Sequence, residues 1–444
     1  MSNVTAFESI HSHPIGRVLD VSRYRNSATD AMESHDMRRG GSNRLENRRA
    51  RNRSQEICES IVATARAHGI AAAVSQFAEG VNEFLAGEPG LNPNDISLRD
   101  LFEWCVPNGR EAVEYLNPAM EFDAFEFDAV NTALFSRITR VQVDAGVMDG
   151  YLRPVFTLSS RIPTRPTSYM YGERQIGVTG LSVNDVGQVG EGQAYPRGQF
   201  SDKYRETPAT DKFGLIVGVT REAIFAGPSQ QITNTAASVG EMLAMRKENA
   251  LIDLLIGATN NYKRNGVSAN TYLTSGSWVN DQSNPLVTWQ DIEASKRLWL
   301  DMTDPESGER ILIAGQDLLF DEYNEYAVGN VFNAVSIDVS DGASTVRRGP
   351  NPLNGLQRNI TFSQFISDRI VSQLGQAQSN ARQWWFHGDV GRAFEYMENW
   401  PITTVTAPRD SKDAFERDIV IQWKASERGV GAVKDPRYMI RNKH

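Results

Sequence analysis

Residues 205–257, RETPATDKFGLIVGVTREAIFAGPSQQITNTAASVGEMLAMRKENALIDLLIG, decide the fold class. Phe213, Leu215, Val217 and Val219 place an apolar residue at every second position, the pattern of a half-buried strand. Thr220 is a suitable N-cap for a short helix to Phe225, which Gly227 and Pro228 stop. Ser229 can then cap one long helix over 229–256, ended by Gly257. At about 1.5 Å per residue this helix spans roughly 42 Å, well beyond the usual length.

Outward from this stretch, the N-terminal side begins with a basic run. RRGGSNRLENRRARNR, residues 38–53, carries Arg38, Arg39, Arg44, Arg48, Arg49, Arg51 and Arg53 against one acid, Glu46. With little to bury, it reads as a mobile segment. Residues 54–86 read as helix: after Gly69, Ile70, Val74, Phe77, Val81 and Phe84 recur at spacings of four and three, one apolar stripe. Gly87, Pro89, Gly90 and Pro93 form a linker before a short helix at 97–105. Residues 122–160 read as an arm with a short helical centre and extended ends. Residues 173–203 hold glycines 177, 180, 187, 190, 192 and 198 together with Pro196, which predicts a long β-hairpin or flap.

On the C-terminal side, residues 260–285 read as a polar loop. Residues 288–302 read as an amphipathic helix capped by Thr288, and 309–314 as a buried strand. Residues 317–335 read as a helix followed by irregular chain, and 340–358 as loop. Strands are predicted at 399–407 and at 415–425, where Ile419, Ile421 and Trp423 alternate with less apolar positions. Trp384, Trp385, Phe386, Phe394 and Tyr396 are interleaved as a packed aromatic core would be, in preference to a binding platform.

The chain of 444 residues is long enough for two or three domains. No stretch has the apolar length of a membrane span, and MSNVTAFESIHSHP is unlike a signal peptide. Cys58 and Cys105 are read as reduced thiols in a cytoplasmic setting. The net charge of −9 argues against a surface that binds nucleic acid throughout, while leaving room for a local basic segment. Nucleotide-binding, hydrolase and zinc-protease motifs are absent from the sequence. His11 and His13 lack ligand partners, and the acidic pairs Asp304/Glu306 and Glu322/Glu325 read as charged loop faces. No catalytic, cofactor or metal residue is expected.

Five stretches carry a family resemblance, among them the strand, T-R-E turn and long helix of 205–257 and the loop after that helix, NNYKRNGVSANTYLTSGSWVND at 260–281. RQWWFHGDVGRAFEYMENWPITTV at 382–405 and DAFERDIVIQWKASERGVGAVKDPRYMIRN at 413–442 resemble the closing segments of tailed-bacteriophage major capsid proteins, the Hong Kong 97-type fold. VGEGQAYPRGQFSDKYRETPATDKFG resembles their extended loop (E-loop) and its return strand. The resemblance covers roughly residues 122–442.

It implies an α+β fold with this domain plan: an N-terminal extension over 1–109 that is basic, partly helical and scaffold-like, an N-arm over 110–171 and the E-loop over 172–214. The peripheral domain would take 215–284 with the spine helix, and 399–444 with the terminal strands. The axial domain would take 285–398. Subunits would assemble into hexamers and pentamers of an icosahedral shell around double-stranded DNA, in a virion assembled in the bacterial cytoplasm. Partners would be other copies of the chain, a portal, a scaffold or maturation protease, and a decoration protein, with no membrane. Glu191, Tyr195, Arg197, Lys203, Arg205 and Lys212 would carry the contacts of the E-loop with neighbouring copies, and the seven arginines would face DNA or scaffold inside. Two further readings are a nanocompartment shell of the encapsulin kind and a β-rich carbohydrate hydrolase.

Overall fold

The computed structural model describes residues 43–96, 98–105, 129–154, 156–176, 188–194, 204–220, 230–259, 262–276, 278–303, 310, 317–340, 346–354, 359–407 and 419–443. The architecture is α+β. In chain order the N-terminal helices are α1 (Asn43–His68), α2 (Ile70–Leu85), α3 (Leu98–Cys105), α4 (Ala129–Leu152) and α5 (Thr157–Arg161). Short strands β1 (Thr164–Pro166), β2 (Arg174–Ile176) and β3 (Tyr204–Glu206) precede β4 (Asp211–Thr220) and the long α6 (Gln230–Ile256). Next come β5 (Tyr262–Arg264), β6 (Val267–Ala269), β7 (Asp281–Ser283), α7 (Trp289–Asp301), β8 (Asp317–Asp321) and α8 (Glu325–Asn333). The chain continues through β9 (Ser336–Ser340), β10 (Val346–Pro350), β11 (Asn359–Ser363), α9 (Ile366–Leu374) and α10 (Gln378–Ala381). It closes with β12 (Trp385–Gly388), α11 (Val390–Ala393), β13 (Phe394–Thr406), β14 (Ile419–Val433) and β15 (Met439–Lys443).

The chain packs as two compact units. Unit 1 gathers the described residues of Met1–Val155, Phe213–Met245 and Ile402–Glu427, and unit 2 those of Phe156–Lys212, Arg246–Pro401 and Arg428–His444. The chain passes between units inside β4, α6, β13 and β14.

Unit 1 has one core. Cys58, Ile61 and Val62 of α1, Phe77 and Val81 of α2, Leu101 and Cys105 of α3, Ile138, Val141 and Val147 of α4, Ala236 and Val239 of α6, and Trp423 and Ala425 of β14 all belong to it. The described residues of the expected N-terminal extension are therefore built into a core shared with the spine helix and a terminal strand. Residues 43–53, expected to be mobile, form the first turns of α1. Gly69, at φ 89°, lets α1 stop and α2 restart, because that left-handed backbone is open to glycine at little cost. The stripe on α2 is buried as expected at Phe77 and Val81, but Phe84 points outward.

The expected arm with a short helical centre is a 24-residue helix, α4. Val141 to Val147 are all buried. Its apolar residues go all round, so it has no stripe to betray it, as suits a helix enclosed by its neighbours. Inside, Gln142 Nε2 donates to the carbonyl oxygens of Pro93 and Ile96 at 3.1 and 3.4 Å, while its Oε1 is buried without a hydrogen-bond partner among the described residues.

In unit 2 the core sheet has the order β11-β8-β12-β15-β7. β11 is parallel to β8, and β12 is antiparallel to both β8 and β15, pairing Trp385 with Phe320 and His387 with Leu318 on one side. β15 is parallel to β7. Leu318, Phe320 and Trp385 pack with Ile292, Val328 and Phe332, while Leu319, Phe386 and Ile440 pack into a second cluster with Leu251, Leu255 and Trp384. Buried on both faces, Leu318, Leu319 and Phe320 form an unbroken apolar run between Asp317 and Asp321. That is why residues 317–321 resemble a helix in sequence and are a strand in fact. The expected helix begins later, at Glu325.

Three other expectations are corrected. Residues 346–350 are a strand paired antiparallel with 336–340, not loop. Residues 262–269 are a hairpin, not loop: Asn265 at φ 51° and Gly266 at φ 79° make its tight turn, the backbone that Asn-Gly favours. β4 lies at the edge of the sheet β1-β13-β14-β4, and Leu215, expected inward, is exposed. Thr220 closes β4, and the expected short helix to Phe225 lies outside the described residues. Of the expected strand at 309–314, Arg310 bridges Thr303 and the remaining described chain resumes at Asp317. By contrast, α6 and α7 form where the sequence places them. Thr288 and Asp291 make the capping box of α7.

Candidate functional site

The flap expected at 173–203 leaves and returns through β2 and β3, which pair antiparallel with Gln175 opposite Arg205. β3 is followed in the same sheet by the β5–β6 hairpin, giving the order β2-β3-β5-β6. Strands of three residues have little hold of their own. Side chains supply it.

Arg205 is 6% exposed. Its Nε donates to Gln175 Oε1 at 2.6 Å, as does Nη2, its Nη1 to the carbonyl oxygen of Val433 at 3.1 Å, and its Nη2 to Glu395 Oε1 at 2.7 Å. Glu395 Oε2 also faces Arg165 Nε at 3.5 Å, and Arg165 Nη2 donates to Glu173 Oε2 at 2.7 Å. Burial works against the charge on Arg165, but Glu173 and Glu395 outweigh it and hold the guanidinium more firmly protonated. An outer pair of contacts joins Glu206 to Arg174 at 3.4 Å and to Lys263 at 3.6 Å.

A short strap runs into this root from β1. Asn399 Nδ2 donates to the carbonyl oxygens of Thr167 and Tyr169 at 2.8 and 3.3 Å, and Thr210 N donates to that of Met170 at 3.0 Å. Arg428 in turn holds Thr210 through its Oγ1 and carbonyl oxygen. The backbone is fixed while the side chains face out: Tyr169 is 58% and Tyr171 93% exposed. A preorganised backbone showing tyrosines is suited to protein contact, because large rigid side chains lose little entropy on binding.

Of the residues expected at a surface between copies, Glu191 and Lys212 are exposed, while Arg205 is buried inside unit 2. Tyr195, Arg197 and Lys203 lie outside the described residues. Arg38 and Arg39 also lie outside them, and Arg44, Arg48, Arg49 and Arg51 fall on α1. Arg53 is exposed and pairs with Asp95 at 3.2 Å. Sequence reasoning passed over Glu173, Gln175, Glu395 and the strap. Only the Asn265-Gly266 turn of the adjoining hairpin carries a strong local signal.

No group of three His, Cys, Asp or Glu residues among the described ones could hold a metal ion. Burial pushes the Cys105 thiol up to about 12 and the Cys58 thiol higher still, the reverse of what a nucleophile needs. His387 is buried, its Nδ1 3.2 Å from Ser295 Oγ and its ring 4.4 Å from that of Trp299. No described helix is long and apolar enough to cross a membrane.

Three solved structures illustrate what the chain resembles. The capsid of an empty GTA particle is 13% identical, covering 66% of this chain and 90% of its own, with a TM-score of 0.40. The Mycobacterium phage Ogopogo structure is 16% identical, covering 65% and 91%, with a TM-score of 0.37. The holo-SrpI encapsulin complex from Synechococcus elongatus PCC 7942 is 14% identical, covering 65% and 88%, with a TM-score of 0.38. No curated protein sequence matches the chain. The model of the phage capsid protein family matches residues 204–442, from the strand that returns from the flap to Asn442 in β15. Matched over more than half its length, the chain belongs to the phage capsid protein family.

Proposed function

We propose that this protein is the building block of a Hong Kong 97-type head shell, assembling into hexamers and pentamers that enclose double-stranded DNA. The family match over 204–442 carries this reading, because it spans the strand that returns from the loop, the spine helix and the terminal strands β13 and β14. The flap supports it. A segment leaving at Ile176 and returning at Tyr204 is longer than ordinary connections, and such loops commonly serve binding. Glu191 and Lys212, with the strap tyrosines, are the side chains we assign to neighbouring copies, and Tyr195, Arg197 and Lys203 are assigned with them. The nanocompartment reading takes second place because the matching family is one of phage capsids.

The finer partners follow from the same reading: a portal, a scaffold or maturation protease, a decoration protein and packaged DNA, with assembly in the host cytoplasm. The arginines at 38–53 are assigned to non-specific contact with scaffold or DNA on the inner face. The purified full-length chain is expected to form capsomers or closed particles, seen by light scattering and electron microscopy. A chain that stays monomeric at all concentrations would overturn the shell reading.

A further inference from the structure

Arg205 was expected on the flap surface and is instead the most heavily committed side chain of the flap's root. From β3 it reaches its cross-strand partner Gln175 in β2, Glu395 in β13 and the Val433 carbonyl in β14. One planar guanidinium thus joins four strands, a task that a lysine ammonium, a point charge on a flexible stem, could not share. We propose that the Arg205–Glu395 pair is a positioning device that sets the direction in which the chain leaves at Ile176 and returns at Tyr204, and so selects the neighbouring copy that the loop meets. The consequence for neighbours rests on the shell reading; the clamp itself does not.

A buried ion pair supplies direction more than it supplies stability. Both side chains are 7% exposed. At that burial, desolvation cancels much of the attraction, and a well-packed apolar pair would serve stability as well or better. What the apolar pair lacks is direction. The fork of Arg205 allows one arrangement of β2 against β3, and β3 against β13 and β14. Glu395 is itself held by Arg165, which Glu173 anchors beside β2, so the carboxylate has a fixed place to receive the fork. The three-residue strands then inherit an orientation that their own ladder is too short to impose.

The test uses the full-length chain carrying Arg205→Met with Glu395→Met, which removes the pair without leaving a lone buried charge, and a separate Arg205→Lys variant. Hydrogen–deuterium exchange of the soluble protein is compared at 174–176 and 204–206 and, as an internal reference, at 385–388 and 439–443. Exchange at the root is expected to rise at least tenfold in both variants while the reference strands stay within twofold. Particles from the double variant are expected to fall at least tenfold in yield or to scatter in diameter. Unchanged root exchange would overturn the proposal. So would acceleration of root and reference strands together, which would mark the pair as ordinary fold glue, or normal particles from a loosened root. Should the parent itself form no particles, the shell reading fails on its own account, and the exchange comparison still decides the clamp.

Discussion

Asp144 is carried by α4 into the core of unit 1, where it is 5% exposed. Thr404 Oγ1 donates to its Oδ1, Arg140 Nε lies 3.8 Å from its Oδ2, and Arg140 Nη2 donates to the Thr404 carbonyl oxygen at 3.4 Å. Burial pushes its pKa up to about 6, against the opposing pull of the Thr404 hydroxyl and the guanidinium. The folded state therefore binds a proton that the unfolded chain, with a carboxyl near ~3.9, has released. The stabilising contribution is full below about pH 4, is lost as pH rises towards about 6, and is flat beyond. Across that window it amounts to about 2–3 kcal/mol. Asp144→Asn keeps an acceptor for Thr404 and removes the titration. Its stability relative to the parent should thus be about 2–3 kcal/mol more favourable at pH 7 than at pH 4, read from urea denaturation followed by tryptophan fluorescence. An identical difference at both pH values would show that this carboxyl does not titrate in that range.

The crossing of α4 and the first half of α6 in unit 1 is built from small residues. A Cβ at Gly150 would lie 1.9 Å from the Ala237 carbonyl oxygen, and one at Gly240 would lie 2.1 Å from that of Val147. Gly146 is tight to a lesser degree, a Cβ there lying 3.1 Å from both Ala236 Cβ and the Thr233 carbonyl oxygen. Backbone against backbone leaves no room to yield, so either substitution must part the helices. Gly150→Ala and Gly240→Ala each gain about 1 kcal/mol of helix propensity, yet a net loss of about 1–3 kcal/mol is expected because overpacking outweighs it. Gly329 in α8 is the control. Only the Asn333 side-chain amide comes within 3.9 Å of a Cβ there, so Gly329→Ala should be neutral or stabilising. Thermal unfolding of the three variants tests the contrast, and equal effects would refute the close crossing.

Over the whole molecule the charge is uneven. The chain carries −9, while residues 38–53 hold seven arginines against one acid. Because residues 43–53 belong to α1, a fair test of the proposed inner-face contact replaces Arg48, Arg49, Arg51 and Arg53 with Gln, which keeps helix propensity better than Ser. The exposed Arg53–Asp95 pair contributes little, so the fold should survive its loss. Each lost phosphate contact should lower the salt dependence of nucleic-acid binding by about 0.7–0.9 in log–log slope, without regard to base sequence. A scaffold role predicts particles of wrong size, and a DNA role predicts normal empty shells that retain less DNA. A variant equal to the parent in size, packaged DNA and salt response would reduce the segment to a solubilising tail.

Local order was legible wherever one chain segment carries its own signal. The length of α6 follows from an uninterrupted run between Pro228 and Gly257, the capping box of α7 from Thr288 and Asp291, and the first part of β14 from the alternation ending at Trp423, although the strand runs on to Val433. The Asn265-Gly266 turn was equally legible and was passed over inside a polar loop. α4 and β8 were misread for a common reason: residues 141–147 of α4 and 318–321 of β8 are buried without a break, which erases the period that separates helix from strand. The loop root was beyond reach altogether. Arg165, Glu173, Gln175, Arg205, Glu395 and Val433 are scattered over more than half the chain, and a charged residue near a glycine-rich flap reads by default as solvated. Whether Arg205 faces a neighbour or a buried carboxylate depends on which distant strand is folded against it. That is a property of long-range packing, and no local pattern encodes it.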